Sequence, residues 1–448
     1  MKRFVSIILL LGAMIMTQNL SAQMKTSYFM EGSYFRTDLN PALAPTRGYI
    51  ALPLLSGISG GFYSNYNSYE NMNFKRENGY VNALSPSVSA EEFLSKLPDE
   101  CIQGVDLNFG LFKLGFYTPR GTHFNFGING RANFNAAAPK DFYRVMKGDL
   151  DGNINVGNMS NELTQYIETY AGTAIRLGDN LTVGARFKFL IGLQNIMVDI
   201  DRLSAAEDAY YVHGNIKYNG VGSEVSFLDD NVNEWEINDN LATGFGGAID
   251  LGAELRLFDN RLKFSAAVTD LGVIKWSEDA QLSATINSEM SRNLDLFDLL
   301  NLNFIEEENN NVGYVTHLTS NVSFGAEYNF LNNHFAIGAL SHTRIQPNGM
   351  MTEFTASFNM RPTNWMTLTA SHSFLNGNTP GIFGAAVNFH PGLINIFLGM
   401  DYISNTKNTT DFEPTTMSEI DTLLSPKATS YNLYVGVGFN FGRPDFLK

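Results

Sequence analysis

From about residue 48 onward the chain alternates apolar and polar residues with a period of two, in runs of about 9 to 13 residues parted by short turns. Successive side chains of an extended strand point to opposite faces, so each run has one apolar and one polar face. Between residues 182 and 194, Val183, Ala185, Phe187, Phe189, Ile191 and Leu193 oppose Thr182, Gly184, Arg186, Lys188, Leu190, Gly192 and Gln194. Between 123 and 134, Phe124, Phe126, Ile128, Ala132 and Phe134 oppose Asn125, Gly127, Asn129, Arg131 and Asn133. Between 321 and 330, Val322, Phe324, Ala326, Tyr328 and Phe330 oppose Ser323, Gly325, Glu327 and Asn329. The last run sets Tyr431, Leu433, Val435, Val437, Phe439 and Phe441 against Asn432, Tyr434, Gly436, Gly438 and Asn440. A strand of 9–11 residues, tilted, crosses a bilayer. A soluble sandwich shows the same alternation but carries more charge on its wet face, whereas here that face is mostly Asn, Ser, Thr and Gly, as suits a barrel lumen.

Tight hairpins favour Gly, Asn and Asp, which tolerate positive φ. Such residues fall between the runs at 178–180, 259–260, 332–333, 347–349, 362–364 and 390–392. Short turns gather on the periplasmic side of membrane barrels and longer loops face outward. The polar insertions at about 64–104, 136–164, 219–242, 287–315 and 403–429 are therefore expected as outer loops or inward-folded plugs. Ser89 with Glu92, ahead of Phe93, Leu94 and Leu97 and stopped by Pro98, has capping-box spacing and predicts a short helix. Residues 291–300 carry apolar positions on a helical face and form a second helix candidate. The count is about 14 strands, with 12 to 16 compatible, since residues 200–230 and 280–317 fit several pairings. The fold expected is all-β: one transmembrane antiparallel β-barrel over residues 48–448, with long outer loops and a plug-like N-terminal segment at 23–47.

Composition agrees with this. Charged residues are 17%, against about 25% in ordinary soluble proteins, while Gly (40), Asn (48), Phe (34) and Tyr (19) abound. After the first twenty residues no apolar run reaches the ~18 residues of a spanning helix. The net charge of −15 excludes a nucleic-acid partner, which requires clustered Lys and Arg. Lys2-Arg3, an apolar stretch over residues 4–16 and small residues up to Ala22 read as an export signal cut after Ala22, directing the chain to the outer membrane of a Gram-negative bacterium. Cys101 is the single cysteine, which rules out an internal disulfide and a multi-cysteine metal site.

Candidate chemistry lies chiefly on the polar face. Arg131, Arg186, Lys188, Asp250, Glu254, Arg256, Lys263, Glu327 and Glu353 fall opposite the apolar stripe, where charge meets water or a partner. They fit either a salt-bridge network filling the lumen or a cargo path. Trp235, Trp276 and Trp365 suit interfacial aromatic girdles or core packing. Residues 57–61 match a nucleophile-elbow pattern, but residues 62–65 read as strand where the motif needs a helix. The seven histidines show no metalloprotease or zinc-finger spacing. Residues 149–153 begin like a calcium loop, yet Ile154 stands where the glycine turn belongs. Glu306, Glu307 and Glu308 form an acidic loop that solvation alone explains. No metal, no cofactor and no catalytic set is expected.

The early stretch from Tyr28 to Arg36, followed by Leu39-Asn40-Pro41-Ala42 and Arg47-Gly48-Tyr49, resembles an uncharacterised Bacteroidetes outer-membrane family, domain of unknown function family 5723. Residues 184–195, 246–252 and 270–276 carry the same likeness, which spans most of the chain after the export signal. More distantly, Asn40-Pro41-Ala42 is similar to an element of FadL-type long-chain fatty-acid transporters and of barrels from a Bacteroidetes secretion system. That likeness implies a plug element beside a hydrophobic ligand path, with Tyr28, Phe29, Met30, Tyr34 and Phe35 as ligand contacts. Two functions are expected on these grounds. One is passive FadL-like uptake of a small hydrophobic molecule by a barrel set in outer-membrane lipid. The other is a non-transporting scaffold that docks a secretion or surface protein.

Overall fold

The computed structural model describes residues 25–53, 56–67, 69–77, 79–83, 85–147, 155–205, 209–220, 242–277, 281–291, 304–308, 313–347, 349–375, 382–401 and 430–442. The expected export signal and its cleavage site, the calcium-like turn, Trp235, and most of the insertions at 219–242, 287–315 and 403–429 lie outside the described residues.

Fourteen antiparallel strands form the wall. In chain order they are β1, in two pieces (Gly48–Ala51 and Ile58–Ser64), β2 (Glu100–Tyr117), β3 (His123–Pro139), β4 (Met159–Leu177), β5 (Leu181–Ala205), β6 (Gly244–Leu257), β7 (Leu262–Trp276), β8 (Ser320–Phe330), β9 (Phe335–Gln346), β10 (Gly349–Thr363), β11 (Met366–Leu375), β12 (Ile382–Phe389), β13 (Ile394–Met400) and β14 (Ser430–Phe441). Each pairs with its neighbours in sequence, and β14 closes the barrel on β1, with Gly48 opposite Phe441 and Ile58 opposite Val435. Closure leaves no free edge strand, the condition for a sheet to cross lipid.

Burial is inverted relative to a soluble protein. Phe187, Phe189, Phe324 and Ile337 are 70%, 53%, 60% and 52% exposed, while Arg186, Lys188, Glu327 and Asn129 are 1%, 4%, 2% and 0% exposed. The apolar face of each run therefore looks outward to lipid and the polar face fills the interior. A Lys or Arg at an outward position near the midplane costs about 2–4 kcal/mol, which explains the confinement of charge to the inner face.

Alternation breaks at bulges, and there parity misleads. Between Gly110 and Phe112 the β2–β3 register shifts, moving the inward set from Asp106 and Asn108 to Lys113 and Gly115. In β7 a shift opposite Asp250 leaves Asp270 in the left-handed region at φ 60°, and the inward positions then become Ile274 and Trp276. An extra residue in one strand is the ordinary cause of such a shift. Trp276 is consequently not a girdle residue. It is fully buried, donates from its indole N–H to the Thr316 hydroxyl at 3.0 Å and stacks on Tyr314. Trp365 is 40% exposed and meets Phe389 edge-on at the short-turn rim, as a girdle residue does.

The short turns after β2, β4, β6, β8, β10 and β12 gather at one rim, the inner one. Asp259 and Asn260, and Asn332 and Asn333, adopt positive φ there. The turn at 347–349 departs from the expectation by lying at the opposite rim, where a Cβ on Gly349 would come 2.6 Å from Ile102. Residues 195–205 of β5 continue past the wall and pair with Ala209–Gly220, which pairs with Gln281–Ser291 and then Phe304–Glu308. The stretches whose sequence fits several pairings thus build an extension above the barrel. Ser291 ends a strand, and the helix candidate beyond it falls outside the described residues. The insertion at 64–104 folds on its own small core of Tyr66, Phe74, Val88, Phe93, Leu94 and Cys101. Its helix Ala90–Leu94 starts where the Ser89 side chain accepts the Glu92 N–H.

Candidate functional site: the lumenal segment and its sockets

Residues 25–47 run inside the barrel as a series of tight turns with a 3-10 turn at Lys25–Ser27 and one α-helical turn at Arg36–Leu39. The turn stops at Asn40, whose extended backbone (φ −159°, ψ 114°) is the conformation a following proline requires. The Asn40 Oδ1 accepts the Ala42 N–H at 2.9 Å, bridging the proline, which has no N–H to offer. Its Nδ2 donates to the Tyr28 hydroxyl at 3.2 Å and to the Ala266 carbonyl of β7 at 3.3 Å. Beneath this element the wall has two glycines directly opposed, Gly184 of β5 and Gly252 of β6. A Cβ on Gly184 would stand 2.4 Å from the Pro41 carbonyl carbon, and one on Gly252 would stand 2.0 Å from Asn40 Oδ1. Asn40, Pro41 and Ala42 therefore sit in a slot that only glycine leaves open.

The aromatic residues of the segment are received similarly. Phe29 rests on Gly338, Tyr28 on Gly325 and Tyr34 on Gly438, with Cβ positions 2.7–2.8 Å from the rings. Met30, Tyr34 and Phe35 pack with Tyr49, Phe397 and Tyr434, while Tyr28 and Phe29 pack with Leu43 and Leu340. Tyr34 stacks on Tyr49 at 4.8 Å. All five expected contact residues are at most 4% exposed, so they touch the wall and one another rather than an open channel.

Behind Phe35 the wall pairing is interrupted among the described residues. The ladder between β1 and β14 lapses from Gly436 to Gly438, since Gly48–Ile50 pair with 439–441 and Ile58–Tyr63 with 430–435. A Cβ on Gly57, which has φ 116°, would overlap the Phe35 ring at 1.8 Å. On the outer face the break is flanked by Leu52, Ile58 and Val435, each about 40% exposed.

Charge fastens the segment to the wall. Asp38 accepts from Lys113 Nζ at 2.6 Å and from Arg186 Nη1 at 3.0 Å. Arg186 also lies 3.8 Å from Asp250, and Lys188 bonds Asp270 at 2.5 Å, Asp250 at 2.9 Å and Glu168 at 3.5 Å. Arg131 joins Glu168 at 3.3 Å. The Asp270 bulge closes the group, its N–H donating to Asp250 at 2.8 Å. Burial alone would raise the Asp38 carboxyl, but the Lys113 ammonium and Arg186 guanidinium override it and hold it well below the usual carboxylate range. A second set ties Lys263 to Glu31 and to Glu327, with Arg361 donating to Glu327 at 2.9 Å and to the Phe29 carbonyl at 3.2 Å. Glu353 pairs with Lys25 of the segment, and Glu254 with Arg256. Each of the nine charges read from parity thus sits in an ion pair, and seven of them are at most 8% exposed. Parity missed Lys113, which follows a bulge, Asp270, which sits in one, Glu168 and Arg361, and Asp38, which is on no strand.

Toward the inner rim the segment leaves a cavity of about 650 Å³ lined by Arg36, Leu43, Tyr117, His123, Glu254 and Lys263 among others. Among the described residues no cluster of three or more His, Cys, Asp or Glu is placed to hold a metal. Of the elbow-like residues, 58–61 lie within strand Ile58–Ser64 and Gly57 just before it, without the strand-to-helix turn that pattern needs.

A closed barrel with a lipid-facing exterior and a charged lumen filled by its own N-terminal segment defines a transmembrane protein of the outer-membrane type. The chain belongs to the family of unknown function DUF5723, whose model matches residues 41–401. A comparison with curated proteins finds no match. Similar solved structures include the Ralstonia pickettii toluene transporter TbuX, at 10% identity over 95% of this chain and 96% of that one, with a TM-score of 0.43. The P. putida toluene transporter TodX is 9% identical over 90% and 93%, with a TM-score of 0.41. A Pseudomonas aeruginosa FadL homologue is 10% identical over 95% and 99%, with a TM-score of 0.39.

Proposed function

We propose that the protein is a channel for passive uptake of small hydrophobic molecules, held shut by residues 25–47 acting as a plug. The observation that carries this reading is the lapse in the β1–β14 ladder with Phe35 set against it from within. A fully paired wall admits nothing sideways, whereas a lapse flanked by apolar residues on its outer face and by Met30, Tyr34, Phe35, Phe397 and Tyr434 on its inner face is an apolar route between lumen and lipid. An ion or a sugar crossing there would be stripped of water without compensation. Withdrawal of the plug aromatics opens the route, and Asn40, Pro41 and Ala42 hold the segment in register with it.

Cells carrying the Phe35→Ala protein are expected to take up the fluorescent hydrophobic probe N-phenyl-1-naphthylamine severalfold faster than cells carrying the natural chain, and deletion of residues 24–44 is expected to act in the same direction. Uptake in both variants equal to that of cells lacking the protein would refute the proposal.

A further inference from the structure

We infer that the inner-rim cavity is a binding site for a small organic carboxylate, with Arg36 as its anion receptor. Arg36 is only 6% exposed, and its Nε is fixed by donation to the Tyr28 carbonyl at 2.9 Å. Its two terminal amino groups meet no hydrogen-bond or ion-pair partner among the described residues, although the side chain lines the cavity. The nearby carboxylates are already engaged, Glu31 by Lys263 and Glu254 by Arg256. A buried guanidinium that keeps its fork unpaired is unusual, because an uncompensated buried charge is destabilising.

His123 adds an independent observation. It is 1% exposed, lines the same cavity, and neither ring nitrogen has a hydrogen-bond partner. Its ring is held by Tyr117 at 4.8 Å and Tyr49 at 6.2 Å. The unpaired Arg36 fork therefore faces a partly open space of about 650 Å³, ample for a small ligand, with the unsatisfied His123 ring packed into its wall.

The cavity lining has five cationic and three anionic side chains, in a chain whose net charge is −15. One guanidinium fork matches the two oxygens of a carboxylate. A phosphate dianion shares that chemistry but would face the carboxylates of Glu31 and Glu254 as well, which favours the singly charged ligand. Leu43, Tyr117 and Tyr328 give the ligand body an apolar side to rest on. This assignment holds whether or not a hydrophobic solute crosses the wall, since it involves neither Phe35 nor the lapse at β1.

The test is calorimetric titration of the full chain in detergent micelles with benzoate, benzyl alcohol and inorganic phosphate. Benzoate is expected to bind saturably at one site, with benzyl alcohol and phosphate giving no saturable heat. Arg36→Gln is expected to weaken benzoate binding at least about tenfold, with the heat-modifiable mobility of a folded barrel retained. If Arg36→Gln does not fold, Arg36→Lys keeps the charge without the fork and His123→Phe removes the second group; each is expected to weaken benzoate. Absence of saturable benzoate binding, equal binding by the folded variants, equal binding of benzyl alcohol, or saturation by phosphate alone would each overturn the assignment.

Discussion

Replacing Gly184 by valine is expected to expel residues 40–42 from the wall and to open the lumen to ions. A single Cβ at this position would stand 2.4 Å from a backbone atom of Pro41, and valine adds two further carbons. The wall cannot yield, because β5 is hydrogen-bonded on one side to β4 and on the other to β6 through the length of this slot. The segment must move, and the overlap costs about 1–3 kcal/mol as overpacking does elsewhere. Movement at Pro41 also breaks the Asn40 bonds to Tyr28 and Ala266, so the loss spreads along the segment. In planar bilayers the variant should carry a steady ion current, and protease should cut after Arg36. Ala185→Val, one residue along and on the lipid face, is the control and should behave like the natural chain. A closed, protease-resistant Gly184→Val protein would show that the slot does not position the segment.

Asp38→Asn is expected to loosen the segment by removing its charge anchor while leaving shape intact. Lys113 would then lie 2% exposed with the Phe35 ring, 4.4 Å from its ammonium, as its remaining neighbour among the described contacts, whereas Arg186 keeps Asp250. Breaking one partner out of a buried ion pair costs about 3–5 kcal/mol, and the expected result is a lower thermal midpoint together with protease access to residues 25–47. The anchor is also acid-labile, with a definite sign. Because the folded-state Asp38 carboxyl is held below its unfolded value, its stabilisation is complete above the ordinary aspartate pKa of about 3.9 and is lost as pH falls through the depressed value. The natural chain should therefore expose the segment in strong acid but not between neutrality and pH about 4, and Asp38→Asn should show a smaller acid transition, with the share of the Glu31–Lys263 pair remaining. An unchanged midpoint in the variant would mean that Lys113 and Arg186 find other partners at no cost.

The barrel is legible in the chain because lipid imposes a strict rule on each strand. With Phe187 and Phe189 forced outward, Arg186 and Lys188 have only the lumen left, and period two reports both at once. The same rule fails wherever a strand gains a residue. Lys113 lies just past a bulge and Asp270 within one, so a fixed parity sends Lys113 to lipid, and it takes the bulge at Asp270 to complete the bonds around Lys188. Glu168 escapes for another reason. Its strand carries Tyr166, Tyr170 and Ala174 beside Glu168 on the inner face, and Gln165, Thr169 and Thr173 among the apolar residues of the outer face, so the contrast between faces is weak. Contacts between the lumenal segment and the wall leave a fainter trace. Gly184, Gly252, Gly325, Gly338 and Gly438 all fall at inward positions, and alternation alone reads them as filler. Only the path of residues 25–47 turns them into sockets for Asn40, Pro41 and the aromatic rings. The 209–220 and 281–291 strands are ambiguous in the sequence because they pair above the bilayer, where no lipid face disciplines the pattern.

Residues 25–47, as proposed, seal the lumen of a membrane-embedded barrel. The most direct measurement is the conductance of the unmodified protein, refolded and inserted into a planar lipid bilayer. Insertion without a steady current is expected, because the segment, its glycine sockets and the ion pairs around Asp38 and Lys188 fill the lumen. A stable ohmic current from the natural chain, of the size an empty barrel of this width carries, would contradict it.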